Sequence, residues 1–184
     1  MFGVFDGHGG REVALYTEDH LENAIKSSEH YKKGDYGEAL RQSFLEIDRQ
    51  LEGKEGREAL AKMKRSNPPN KAPLFKLLGE ITSPNTGEEG DDAKLMLDSI
   101  GCTANVIFFD NMKRLYIANA GDSRCVLARA GKAVPLSFDH KPDNAEEKRR
   151  IEAAGSTIQE GRVDGNLNLS RSLGDLKYKI NKDL

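Results

Sequence analysis

The chain has 184 residues, long enough for one domain with its own core. Its 28 basic and 30 acidic residues leave a net charge of -2, which excludes nucleic acid or an anionic membrane as the main partner, since neither would be drawn by the summed field. Hydrophobic residues make up 37% against 32% charged, with no Trp, so part of the chain is expected to lie outside the packed core.

The chain opens with an apolar strand, Phe2-Gly3-Val4-Phe5, that runs directly into Asp6-Gly7-His8-Gly9-Gly10. After that turn Val13, Leu21, Ala24 and Ile25 recur at helical spacing. A second helix is signalled by Asp35 with Glu38 three residues on, a capping-box pattern. Its apolar stripe is Leu40, Phe44, Ile47 and Leu51, which reads as packing. From 53 to 99 Gly, Pro, Asn, Lys and Glu dominate, and this stretch reads as a flexible insertion, with one short helix around Leu74 to Leu78. Its acidic run, Glu88-Glu89-Gly90-Asp91-Asp92, reads as a solvated face. Beyond Ser99 the period switches to two. Thr103 to Phe109, Arg114 to Ala120 and Arg124 to Arg129 are expected to form an antiparallel meander. Asn144 with Glu147 opens a further helix, which Gly155 ends. Short strands are expected at 156–158, 162–163 and 167–169, the last pair joined by Asp164-Gly165-Asn166.

No apolar run approaches membrane-spanning length, and Met1-Phe2-Gly3 opens no signal peptide. Cys102 and Cys125 sit inside apolar runs, as reduced, buried thiols of a cytoplasmic or nuclear protein would. His20, His30 and His140 read as surface or turn residues.

Three short patterns place an acidic residue beside glycine at a strand end or tight turn. They are Asp6-Gly7-His8-Gly9-Gly10, Ala120-Gly121-Asp122-Ser123-Arg124 and Leu169-Ser170-Arg171-Ser172-Leu173-Gly174-Asp175. The first has the make-up of a hard-metal site: an oxygen ligand on a rigid element, a proton donor beside it, and glycines that leave the backbone open to a ligand. Alone, each pattern also reads as an ordinary turn, and Asp122 suits a turn as well as a metal. In this order, with Asp139-His140-Lys141-Pro142 between the last two, the motifs resemble those of the metal-dependent serine/threonine phosphatases of the protein phosphatase 2C (PPM) family. The match covers 1–52 and 100–180. The long insertion resembles that of the family's gamma (magnesium-dependent 1G) branch.

The resemblance implies an α+β fold, a four-layer α-β-β-α sandwich of two mostly antiparallel sheets flanked by helices, here incomplete. It implies that 1–184 is a partial phosphatase catalytic domain hydrolysing phosphoserine or phosphothreonine in phosphorylated protein substrates. Asp6 matches the aspartate bridging two catalytic Mg²⁺ or Mn²⁺ ions, and Gly7 the residue whose carbonyl ligates one of them. His8 matches the general acid, and Asp122 a ligand of the third metal site found in many members. Asp175 and Ser170-Arg171-Ser172 match a segment that is structural in the family. The family's phosphate-binding arginine and acidic pair precede the first motif, and further metal-binding aspartates follow the last. The chain is therefore expected to be inactive alone, and to be less stable than a complete domain or to depend on association. An alternative is an inactive fragment or pseudophosphatase acting as a phosphoprotein-binding or regulatory module. A metal-dependent phosphodiesterase is a third, weaker reading.

Overall fold

The computed structural model describes residues 1–66, 96–111 and 113–180. The predicted apolar stripes fold as helices α1 (Glu12–Ser27) and α3 (Tyr36–Glu52), with a short α2 (Glu29–Lys32) between them. Val13, Leu21 and Ile25 of α1 and Leu40, Ile47 and Leu51 of α3 are buried in one shared core. Asp35 caps α3 as its position predicts, accepting the Glu38 N–H at 3.3 Å. The Glu38 carboxylate turns instead to Arg41 and Gln42.

Residues expected to begin a flexible insertion form α4 (Lys54–Ser66), packed against α1 and α3. Leu60 is 2% exposed in the core. Arg57 pairs with Asp98 at 2.6 Å, tying the helix to the chain just before the central strands. At Gly56 the two backbones approach so closely that a β-carbon would collide with the Gln50 carbonyl, and only glycine fits. The helix expected around Leu74 to Leu78, and the acidic run, lie outside the described residues.

All the strand pairs are antiparallel. β1 (Phe2–Val4), β4 (Ala104–Asp110) and β5 (Arg114–Ala120) form one sheet in the order β1-β4-β5. β2 (Gly7–His8), β3 (Gly101–Cys102) and β10 (Leu173–Gly174) form a second, with β3 in the middle. Tyr36 of α3 seats on Phe108 and Tyr116, with ring centroids 4.8 and 5.8 Å away, which docks the helices against β4 and β5.

The expected meander stops after two strands. β6 (Val126–Arg129) leaves the sheet and pairs with β7 (Lys132–Pro135), a strand not among those expected from the sequence. Ala130 and Gly131 both take positive φ, the geometry of a two-residue hairpin, so the chain reverses there. Likewise β8 (Ile158–Gln159) and β9 (Arg162–Val163) close around Glu160-Gly161, and Leu167 makes only an isolated bridge to Val163. Helix α5 (Ala145–Ala153) ends before Gly155 as predicted. Asn144 precedes it without a side-chain cap: its amide donates to the Asp139 carbonyl, and the Glu147 carboxylate accepts from Arg150, Ser170 and Arg171. Cys102 and Cys125 are free and buried. Among the described residues no helix is long and apolar enough to cross a membrane.

Candidate functional site

One antiparallel register runs through the first motif. Val4 lies opposite Asn105 in the first sheet, and Gly7 and His8 lie opposite Cys102 and Gly101 in the second. Between them Asp6 faces Thr103. The Thr103 N–H donates to the Asp6 carbonyl at 2.9 Å, and the Asp6 N–H donates to Thr103 Oγ1 at 3.2 Å. Both backbone polar groups of Asp6 are therefore fixed by Thr103 at the junction of the two sheets. Its side chain is exposed, and the carboxylate makes no hydrogen bond or ion pair among the described residues. A carboxylate on a fixed backbone with no protein partner is a hard-oxygen donor left available to a ligand.

His8 is placed differently. Its Nε2 lies 2.6 Å from Asp175 Oδ2, across the central strand β3. Asp175, which the resemblance marks as structural, is thus the partner of the imidazole, 167 positions away in sequence.

The second motif is held beside the first. Ser123 Oγ is 2.7 Å from Thr103 Oγ1, so one threonine links the backbone of Asp6 to the Gly-Asp-Ser turn. That turn is zipped to Asp139-His140-Lys141. Arg124 grips Asp139 with two bonds of 2.8 and 2.9 Å, the Gly121 N–H donates to His140 Nδ1 at 3.2 Å, and Lys141 pairs with Asp122. The Arg124 bond holds the Asp139 carboxyl below its ordinary range. His140 proves a tie between motifs, since its carbonyl also accepts the Ser170 N–H at 3.0 Å. Burial and the nearby Arg171 guanidinium push its pKa down. Asp122 carries Lys141 as its counter-ion, so a cation there would have to displace the ammonium.

The third motif is latched by Glu147. Burial alone would raise the carboxyl pKa of Glu147. The bonds from Arg171, Arg150 and Ser170 outweigh it and hold the group at about 2. Among the described residues no three His, Cys, Asp or Glu side chains converge as a metal cluster. A large surface cavity lined by Asp48, Glu52, Arg150 and Lys179 contains none of Asp6, His8 or Asp122. Sequence reasoning missed Thr103, and it gave Asp175 no part in the site. The separation of the paired residues along the chain leaves no local signal for either.

The protein phosphatase 2C family pattern matches residues 1–67 and 60–183. "Probable protein phosphatase 2C 4" of Paramecium tetraurelia is 43% identical over 184 residues, covering 100% of this chain and 52% of its own length. Among solved structures, a C. elegans sex determining protein has a TM-score of 0.63 at 25% identity, covering 97% of this chain and 36% of that one. A phosphatase from a pathogenic strain of Toxoplasma gondii has a TM-score of 0.57 at 22% identity, covering 99% of this chain and 58% of that one, and shares the fold. The chain spans about half the length of the curated relatives it matches. With antiparallel sheets under packed helices and the ordered motifs gathered at one sheet junction, the chain belongs to the protein phosphatase 2C family and has its α+β fold.

Proposed function

We propose that the protein hydrolyses phosphoserine and phosphothreonine in proteins. In this reading Asp6 bridges two Mg²⁺ or Mn²⁺ ions, Gly7 offers its carbonyl to one, Asp122 serves a weaker third ion, and His8 is the general acid. Family membership supports the phosphatase activity, and the family is metal-dependent. The observation that carries the residue assignment is Asp6, whose backbone N–H and carbonyl are both bonded to Thr103 while its carboxylate has no protein partner among the described residues.

When bound, the ions would supply charge neutralisation and an activated water, which a phosphate monoester dianion with a poor leaving group requires. The chain's own residues have three tasks. Asp6 presents hard oxygen, the donor type that suits Mg²⁺ or Mn²⁺ over zinc. Thr103 fixes where that oxygen stands and couples it to the Gly-Asp-Ser turn through Ser123. His8 delivers the proton that the departing serine or threonine oxygen needs. The reading draws further metal ligands from outside the described residues, because none converge within them. A cytoplasmic or nuclear location belongs to the same proposal and is supported by the free cysteines.

A second reading, a phosphoprotein-binding module without turnover, is favoured by one observation: Lys141 already neutralises Asp122. The two are separated by Mn²⁺-dependent phosphate release from a phosphoserine peptide, with Asp6→Asn as the control. Turnover lost in the variant supports the phosphatase. Peptide binding without turnover, unchanged in Asp6→Asn, supports the binding module and overturns the assignment of Asp6.

A further inference from the structure

Asp175 is only 2% exposed and bonds the His8 imidazole, whose side chain is 28% exposed. A buried carboxylate without a partner is costly, so the pair is strongly favoured once the fold has formed. The sheet is built to allow it. β3 runs between β2, which carries His8, and β10, whose last residue precedes Asp175. The two side chains meet over Gly101, where a β-carbon would collide with the Asp175 carboxylate and lie 2.6 Å from His8 Nε2. Asp175 itself holds φ +50, and its N–H donates to the Ile100 carbonyl at 2.9 Å, which aims the carboxylate across the strand. His8 Nδ1 has no hydrogen-bond partner among the described residues.

From this geometry we infer that Asp175 is a positioning residue for His8. It takes the Nε2 proton in a hydrogen bond, fixes the ring, and leaves Nδ1 as the edge that faces substrate. The inference rests on the general-acid reading of His8 given above. The proton reaching the departing alkoxide oxygen then comes from Nδ1–H, while Asp175 holds the opposite edge of the ring through Nε2. A carboxylate behind a working histidine constrains its orientation as well as its charge.

The test has two arms, both using the whole chain. In the first, long-range ¹H–¹⁵N correlation spectra, with His8→Gln for assignment, read which imidazole nitrogen carries the proton. The expected result is a protonated Nε2 with a downfield, slowly exchanging proton that is lost in Asp175→Asn. A neutral ring protonated only on Nδ1 overturns the inference, whether or not the chain turns over substrate. Asparagine preserves the shape of Asp175 and tolerates its positive φ, so the variant is expected to fold.

In the second arm, kcat is compared on phenyl phosphate, a poor leaving group, and p-nitrophenyl phosphate, a good one. Asp175→Asn should cost about 100-fold on the first and under about threefold on the second, because only a poor leaving group needs the proton. Equal losses on both make Asp175 merely structural and overturn the inference. If Asp175→Asn shows no bias while His8→Gln does, the general acid stands and the inference alone fails. If His8→Gln shows no leaving-group bias, the general-acid reading fails and the inference goes with it.

Discussion

Protonating Glu147 should release the third motif from α5, and the size of the effect follows from the groups around it. Its carboxyl, held at about 2 against an ordinary 4.5, sits buried between the Arg150 and Arg171 guanidinium groups. A carboxyl with a depressed pKa contributes stability that is fully present above its unfolded value. That stability drains away as pH falls from about 4.5 toward 2. The shift corresponds to about 3 kcal/mol, reduced to about 2 because both guanidinium groups are partly exposed and screened. The assay is urea unfolding of wild type and Glu147→Gln at pH 7 and again at about pH 1.5, below the native pKa of the carboxyl. The variant should be less stable by about 2 kcal/mol at neutral pH. That gap should nearly close in acid, where the wild-type carboxyl has also lost its charge. A gap of constant size at both pH values would show that the loss owes nothing to the charge on Glu147.

Three further outcomes are expected. Leu60→Ala should cost about 2–4 kcal/mol in thermal or urea unfolding, because Leu60 fills the core beneath α4; a change under about 0.5 kcal/mol would mean that α4 does not pack there. Gly101→Ala forces a methyl between Asp175 and His8 and should cost about 1–3 kcal/mol, with loss of the downfield Nε2 proton signal; a stable variant that keeps the signal would show that the strand has room to spare. Cys102, whose thiol burial pushes up to about 12, should resist thiol reagents at pH 8 until the chain unfolds. Labelling of Cys102 in the native protein as fast as in urea would contradict that placement.

Elements whose apolar positions repeat cleanly were legible in the sequence. The stripe of Leu40, Ile47 and Leu51 becomes the buried face of α3, and the β-branched and aromatic runs become β4 and β5 within a residue of their predicted ends. α4 was not legible because its buried face amounts to Gly56 and Leu60 among charged neighbours, and Gly53 and Gly56 read as breakers. Gly56 is there for close helix contact, which no local pattern distinguishes from flexibility. Glu147 has capping spacing from Asn144, yet two arginines and a serine compete for its carboxylate and win, since charge-assisted bonds outweigh a single backbone N–H. The Asp-Gly-His and Gly-Asp-Ser motifs were visible as patterns. Their connection through Thr103 and Ser123, and the Asp175 bond to His8, depend on β3 lying between β2 and β10, an order set by tertiary packing.

The proposal that Asp6, whose carboxylate has no protein partner among the described residues, ligates a divalent cation has one decisive measurement. It is tested most directly by titrating the chain with Mn²⁺ and following paramagnetic broadening of its amide signals, which detects even weak binding. Gly7, His8 and Thr103 should broaden first, and the effect should disappear in Asp6→Asn. Broadening that spreads evenly over the acidic surface, or that survives unchanged in Asp6→Asn, would contradict it.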